Sequence, residues 1–243
     1  MSGHSKWAKL KHSKGIIDAK KGALFTKVAR MITIAAREGG PNPDMNFKLR
    51  LAIDKAKQIN MPSVNIERAI NRGVGKTKEA NIESATYEAY LPGNAALVIE
   101  ALTDNRNRTL ASLRHTFSKH GGRLAKQNSV LWMFEKKGVI RIEISKSKSY
   151  DLEELQLKII DLGVEDIKKE EEDELVILTK PEDLERIKNA LEKDLQLQVS
   201  YAEIEWFAKS PVKISPESQK KVDLIFAELD NNPDINDYYS NIG

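Results

Sequence analysis

None of the 243 residues is a cysteine, which excludes disulfides, thiolate nucleophiles and cysteine-ligated zinc or iron–sulfur centres and fits a reducing compartment. Long apolar runs are also missing: nothing approaches the roughly 18 residues that a membrane-spanning helix needs. The N-terminus lacks the basic, apolar, small-residue order of a secretory leader. These absences predict a cytoplasmic protein with no membrane partner. Catalytic patterns are equally scarce. There is no HExxH pair and no nucleophile-elbow serine. Gly73-Val74-Gly75-Lys76-Thr77 ends like a phosphate loop, but Ile70 stands where that loop needs glycine, and a helix precedes it rather than a strand. Of the four histidines, His4 and His12 lie in a basic N-terminal arm and His115 and His120 on one predicted helix, without ligand spacing to a carboxylate. The run Glu170 to Glu174 reads as a solvated turn. The sequence therefore predicts no enzyme, no metal and no cofactor.

What the chain does have is charge, unevenly placed. Its formal net charge is only +3. Residues 1–80 hold seventeen Lys and Arg against six Asp and Glu, a balance of +11. Residues 81–145 hold nine against six, or +3, and residues 146–243 thirteen against twenty-four, or −11. A basic end on a nearly neutral chain is the signature of a surface that meets polyanions. With 40% hydrophobic residues the chain can still bury cores in one large domain or several small ones.

The hydrophobic period divides the chain into three parts. After the arm MSGHSKWAKLKHSKG, the stretch IIDAKKGALFTKVARMITIAAREGG places Leu24, Val28, Met31, Ile32 and Ala35 on one helical face and Lys20, Lys27, Arg30 and Arg37 opposite. Gly39 and Gly40 end that helix; Asn42 and Pro43 suit the cap and first position of a second through FKLRLAIDKAKQIN. A third begins near Pro62 and Ser63 and ends at Gly73. YEAYLPGNAALVIEALTD then reads as a hairpin around Pro92 and Gly93, NRTLASLRHTFSKHGG as a helix, and SVLWMF as a further strand. From GVIRIEIS onward the order is strand, helix, strand, strand, helix, strand, the ferredoxin-like βαββαβ pattern. A last helix from Pro216 to Leu229 and a strand within 234–241 would complete the middle region. The expectation is an α+β protein: an arm and three-helix bundle over 1–80, then two α/β domains of ferredoxin-like βαββαβ character, a split one over 81–136 plus 209–243 and an acidic one over 137–208 inserted into it.

SGHSKWAKLKHSK at the start, LTDNRNRT in the middle, RHTFSKHGG after it and SVLWMFEKKGVI together resemble the YebC/PmpR family, whose mitochondrial relatives are called translational activators of cytochrome oxidase. The resemblance covers nearly the whole chain. It implies a cytoplasmic, three-domain protein of the kind labelled a probable transcriptional regulatory, DNA-binding protein, with some members linked instead to the ribosome and translation. Two departures stand out: Tyr90-Leu91-Pro92-Gly93-Asn94 where the family commonly has YGPGG, and Lys126-Gln127-Asn128 where it commonly has a glycine.

The residues suggest two nucleic-acid contacts. In the first, Lys6, Lys9, Lys11, Lys14, Lys20 and Lys21 displace counterions from a phosphodiester backbone, aided by His12 and by Lys27 and Arg30 on the helix; six such contacts give a salt slope of roughly −5. Trp7 either stacks on a base or tucks against the bundle. In the second, the TDNRNRT loop offers a helix N-terminus with Arg106 and Arg108, and Arg114 two turns later. The plain alternatives are a solvated basic tail, and a capped helix whose arginines pair with carboxylates. Three functions follow: a DNA-binding regulator, an RNA- or ribosome-associated translation factor acting through shape and phosphate, or a protein-interaction scaffold. The acidic last third suits solubility, repulsion of nucleic acid or a basic protein partner.

Overall fold

The computed structural model describes residues 14–76, 82–144, 151–171 and 173–243, and of residues 14–21 and 170–171 the backbone alone. The chain divides into two compact units. One comprises residues 1–134 and 208–243, the other residues 135–207.

The first unit opens with three helices, α1 (Lys14–Gly39), α2 (Phe47–Gln58) and α3 (Ser63–Gly73). Leu24, Val28, Ile32, Ala35 and Ala36 of α1 close a core with Leu49, Ala52 and Ala56 of α2 and Ala69 of α3, the stripe that the 3.6-residue period predicts. Gly40 ends α1 at φ +85°, the left-handed conformation glycine adopts without a Cβ clash. The cap of α2 differs from the sequence expectation. Asn42 and Pro43 form a turn, and Asn46 is the cap, its Oδ1 accepting from the Leu49 amide at 3.1 Å. Asn46 wins because its buried amide also donates to the carbonyls of Ala35 at 2.7 Å and Gly40 at 2.9 Å, satisfying the end of α1 with the start of α2. Gly73, part of the phosphate-loop lookalike, is buried against α1. A Cβ there would meet Ala36 Cβ at 2.8 Å, so the glycine serves helix packing.

The same unit continues with β1 (Glu83–Tyr90), β2 (Ala96–Thr103), α4 (Arg106–Lys119) and β3 (Arg123–Leu124), and closes with α7 (Pro216–Asn231) and β8 (Ile235–Ser240). The sheet order is β3-β1-β2-β8, antiparallel throughout. Leu97, Ile99 and Ala101 of β2 pack with Leu113 and Phe117 of α4 and Val222, Ile225 and Phe226 of α7. In the β1–β2 turn, Gly93 and Asn94 both have positive φ, +83° and +60°. Asparagine tolerates this conformation better than most residues, which reconciles the turn with a familial glycine.

SVLWMF does not extend the first sheet as the sequence reading expected. Leu131–Met133 is a 3₁₀ turn, and Phe134 begins β4 (Phe134–Glu143), which runs into the second unit. The reason is one buried side chain. Glu88 of β1, 5% exposed, accepts from the backbone amides of Asn128, Val130 and Leu131, curling the segment. Asn128 turns the chain at φ +63°, standing in for a glycine as Asn94 does.

The second unit contains α5 (Leu152–Asp161), β5 (Asp166–Glu171), β6 (Glu174–Thr179), α6 (Leu184–Lys193) and β7 (Val199–Ala208). Its sheet order is β5-β6-β4-β7, with β6 antiparallel to both neighbours. This is the ferredoxin-like βαββαβ arrangement. β6 is buried at every position, and Ile140, Ile142, Leu155, Ile159, Leu184, Ile187 and Leu191 are fully or almost fully buried around it. The chain thus has an α+β fold of three N-terminal helices followed by two four-stranded sheets with their own packed helices, the second sheet inserted before α7 and β8.

Candidate nucleic-acid interface

Lys6, Trp7, Lys9, Lys11 and His12, proposed to grip the backbone, lie outside the described residues. Lys14, Lys20 and Lys21 fall on the N-terminal half of α1, so the basic character of the arm continues onto a helix.

Lys27 and Arg30 part company with the cationic-face expectation. Lys27 is 6% exposed, and its Nζ donates to the Asp230 carbonyl at 3.2 Å. Arg30 donates to the carbonyls of Leu102 and Pro233 at 2.7 and 2.9 Å and to Asp234 Oδ1 at 2.7 Å. Arg37 reaches back to the Ile82 carbonyl at 2.5 Å. These cations lie opposite the helical core, but that face packs on the α/β part of its own unit. A lone helix period cannot distinguish a solvent-facing polar stripe from one that satisfies buried carbonyls.

The TDNRNRT segment is likewise occupied from within. Asn105 caps α4, its Oδ1 accepting from the Arg108 amide at 3.0 Å. Arg106 Nε meets Glu83 Oε2 at 2.8 Å. Arg108 forks onto Asp234, with Nε to Oδ2 at 3.2 Å and its terminal nitrogen to Oδ1 and Oδ2 at 2.9 and 2.8 Å, and also meets Asp104 at 2.7 Å. Thr109 Oγ1 adds a bond to Asp234 Oδ2 at 2.8 Å. Burial pushes the Asp234 carboxyl up, but the hydrogen bonds from Arg30, Arg108 and Thr109 outweigh it and hold the group below the ordinary aspartate value. Arg106 and Arg108 thus pair with carboxylates at a capped helix, their side chains 62% and 51% exposed. Arg114, on the same helix, is exposed and has no side-chain partner among the described residues.

Other cations, missed by motif reading, stand free. Lys57, Arg68 and Lys76 of the helical part are exposed and meet no carboxylate among the described residues. Composition carried their signal, as part of the basic first third. His120, half-buried, bonds Glu228 Oε1 at 2.9 Å. Among the described residues no group of three or more histidine, aspartate or glutamate side chains could hold a metal ion, and no helix is long and apolar enough to cross a membrane.

Comparison with known proteins fits this frame along its full length. Residues 5–76 match the family model of the TACO1/YebC protein N-terminal domain, and residues 82–242 that of the TACO1/YebC second and third domain. A "probable transcriptional regulatory protein" of Thermoanaerobacter pseudethanolicus is 45% identical over 242 residues, 100% of this chain and 97% of that one. Another so named, from Thermotoga maritima, is 47% identical over 241 residues, 99% and 93% of the two chains. The crystal structure of a conserved hypothetical protein, Aq1575, from Aquifex aeolicus superposes with a TM-score of 0.86 at 41% identity, covering 98% of this chain and 96% of its own. With both family models matched in order and relatives of this identity over the whole length, the chain belongs to the TACO1/YebC family.

Proposed function

We propose that this protein is a non-enzymatic regulator that binds nucleic acid, gripping the phosphodiester backbone through its basic first third, with duplex DNA in transcriptional control as the primary partner. The observation that carries this reading is the +11 balance of residues 1–80, to which Lys57, Arg68 and Lys76 contribute as exposed cations. Unpaired surface cations release counterions on meeting a polyanion; cations already bonded to carboxylates release few. The naming of the relatives as probable transcriptional regulatory proteins supports the same partner class.

A second reading, a translation factor on ribosomal or other RNA, is favoured by Trp132, which is 65% exposed. An open indole face suits an unpaired base, which a continuous duplex does not offer.

The test replaces Lys6, Lys9, Lys11 and Lys14 by glutamine and titrates a generic duplex at two salt concentrations. The expected wild-type slope of log K against log salt is roughly −5, falling in magnitude by about 0.9 for each lysine removed. Unchanged affinity removes the arm from the function. Crosslinking in cells, with sequencing of the attached nucleic acid, separates promoter DNA from ribosomal RNA; recovery of neither leaves a protein scaffold.

A further inference from the structure

β3 and the turn that leads from it to β4 have an unusual surface for a segment so firmly held. Residues 121–133 contain no acidic residue, yet they carry Arg123, Lys126 and Trp132, all exposed. Glu88, which anchors the turn from beneath, is buried, and three backbone amides occupy its carboxylate. Its charge is therefore directed into the protein, and the outer surface is left to cations and an indole ring.

Arg123 and Trp132 are joined through Tyr90 and Ser129, and the Ser129 amide donates to the Lys126 carbonyl at 3.2 Å. The Arg123 guanidinium lies over the Tyr90 ring at 4.3 Å from its centroid. The Tyr90 hydroxyl reaches the Ser129 carbonyl at 3.4 Å, and Trp132 Nε1 donates to the same carbonyl at 3.0 Å. Lys209 Nζ in turn donates to the Trp132 carbonyl at 3.0 Å. Tying the indole N–H to the backbone fixes the edge of the ring and leaves its face to solvent. An exposed tryptophan held in this way loses little freedom when something stacks on it.

We propose that Trp132, with Arg123 and Lys126, is a stacking platform for an unpaired base of single-stranded nucleic acid, the ring taking the base and the two cations its flanking phosphates. The platform rests on the nucleic-acid reading above but is separate from the arm. A π-face flanked by cations takes any base, so the contact is tolerant of sequence. Acidic protein segments would also meet the cations, but they supply no flat partner for the ring.

The test uses the full chain, with Trp132→Ala, Trp132→Phe and the double variant Arg123→Gln/Lys126→Gln, titrated against a short unstructured oligouridine and a generic duplex. Trp132→Ala is expected to weaken oligouridine binding roughly tenfold while leaving duplex affinity unchanged, and Trp132→Phe to recover most of the loss. The double variant is expected to lower the oligouridine salt slope by about 1.4. Equal oligouridine affinity for Trp132→Ala and wild type overturns the platform, and if the arm variant still loses binding, the nucleic-acid function itself survives. A loss in Trp132→Ala that phenylalanine does not restore, or an equal loss on duplex, also overturns it. Wild-type protein that binds neither probe overturns both proposals together.

Discussion

Asp234 gathers side chains from two helices of the first unit. Arg30 comes to it from α1, Arg108 and Thr109 from α4, and the side chain carrying it is only 5% exposed. Removing one partner of a buried ion pair leaves the other charge uncompensated, which costs more than the pair contributes. Asp234→Asn keeps the shape and deletes the charge, so Arg30, at 15% side-chain exposure, is left facing a neutral amide. We expect a loss of about 3 kcal/mol in urea unfolding. Arg108→Ala should cost much less, because that side chain is half exposed. A variant Asp234→Asn as stable as wild type would show that the cluster is not what joins α1 to the sheet. At this scale the sequence was ambiguous in a definite way: LTDNRNRT displays its arginines, but Glu83, which takes Arg106, lies 23 residues back, and Asp234, which takes Arg108, lies 126 residues further on.

Between elements, α4 and α7 share a core and one ionic lock. Glu228 on α7 meets Lys119 Nζ at 2.8 Å and Thr116 Oγ1 at 2.9 Å in the last turns of α4, and Nε2 of its C-cap His120 at 2.9 Å. The Lys119 bond first, then those of His120 and Thr116, pull its carboxyl down to about 2 from an ordinary 4.5. A depressed folded-state value means the contribution is present above the ordinary value and lost as pH falls towards the folded one. Stability should therefore drop between about pH 4.5 and pH 2, and Glu228→Gln should flatten that part of a denaturation-against-pH curve. An unchanged acid limb in the variant would assign the drop to other carboxylates. Element order was largely legible from the sequence, since long amphipathic helices and alternating strands declare their period. The 3₁₀ turn at Leu131–Met133 was not. Its apolar, β-prone residues match a strand, and it curls because a glutamate on another strand takes up its amides, a partner no local window contains.

Over the whole molecule the charge runs from +11 in residues 1–80 to −11 in residues 146–243. Glu153, Asp161, Glu182 and Asp194 of the inserted unit are exposed, and none has a side-chain partner among the described residues. If they repel a polyanion at a distance, replacing them with their amides should raise nonspecific affinity for duplex at low salt. The gain should vanish near 1 M salt, where the Debye length is about 3 Å. A gain that persists at high salt would mean that the substitutions had created a contact instead, and no gain at all would leave the acidic third without a steering role.

The sequence by itself determined most of the element order, the inserted ferredoxin-like unit and the one-sided charge, because period, turn chemistry and composition are local or additive properties. Only the tertiary structure decided which cations are free. Lys27, Arg30, Arg106 and Arg108 are engaged by carbonyls and carboxylates brought from distant segments, whereas Arg114, Lys57, Arg68 and Lys76 are not. Tertiary structure also decided that Trp132 faces solvent. Whether a charged or aromatic side chain meets water or protein depends on partners far away in the chain, and folding alone brings them within hydrogen-bonding reach.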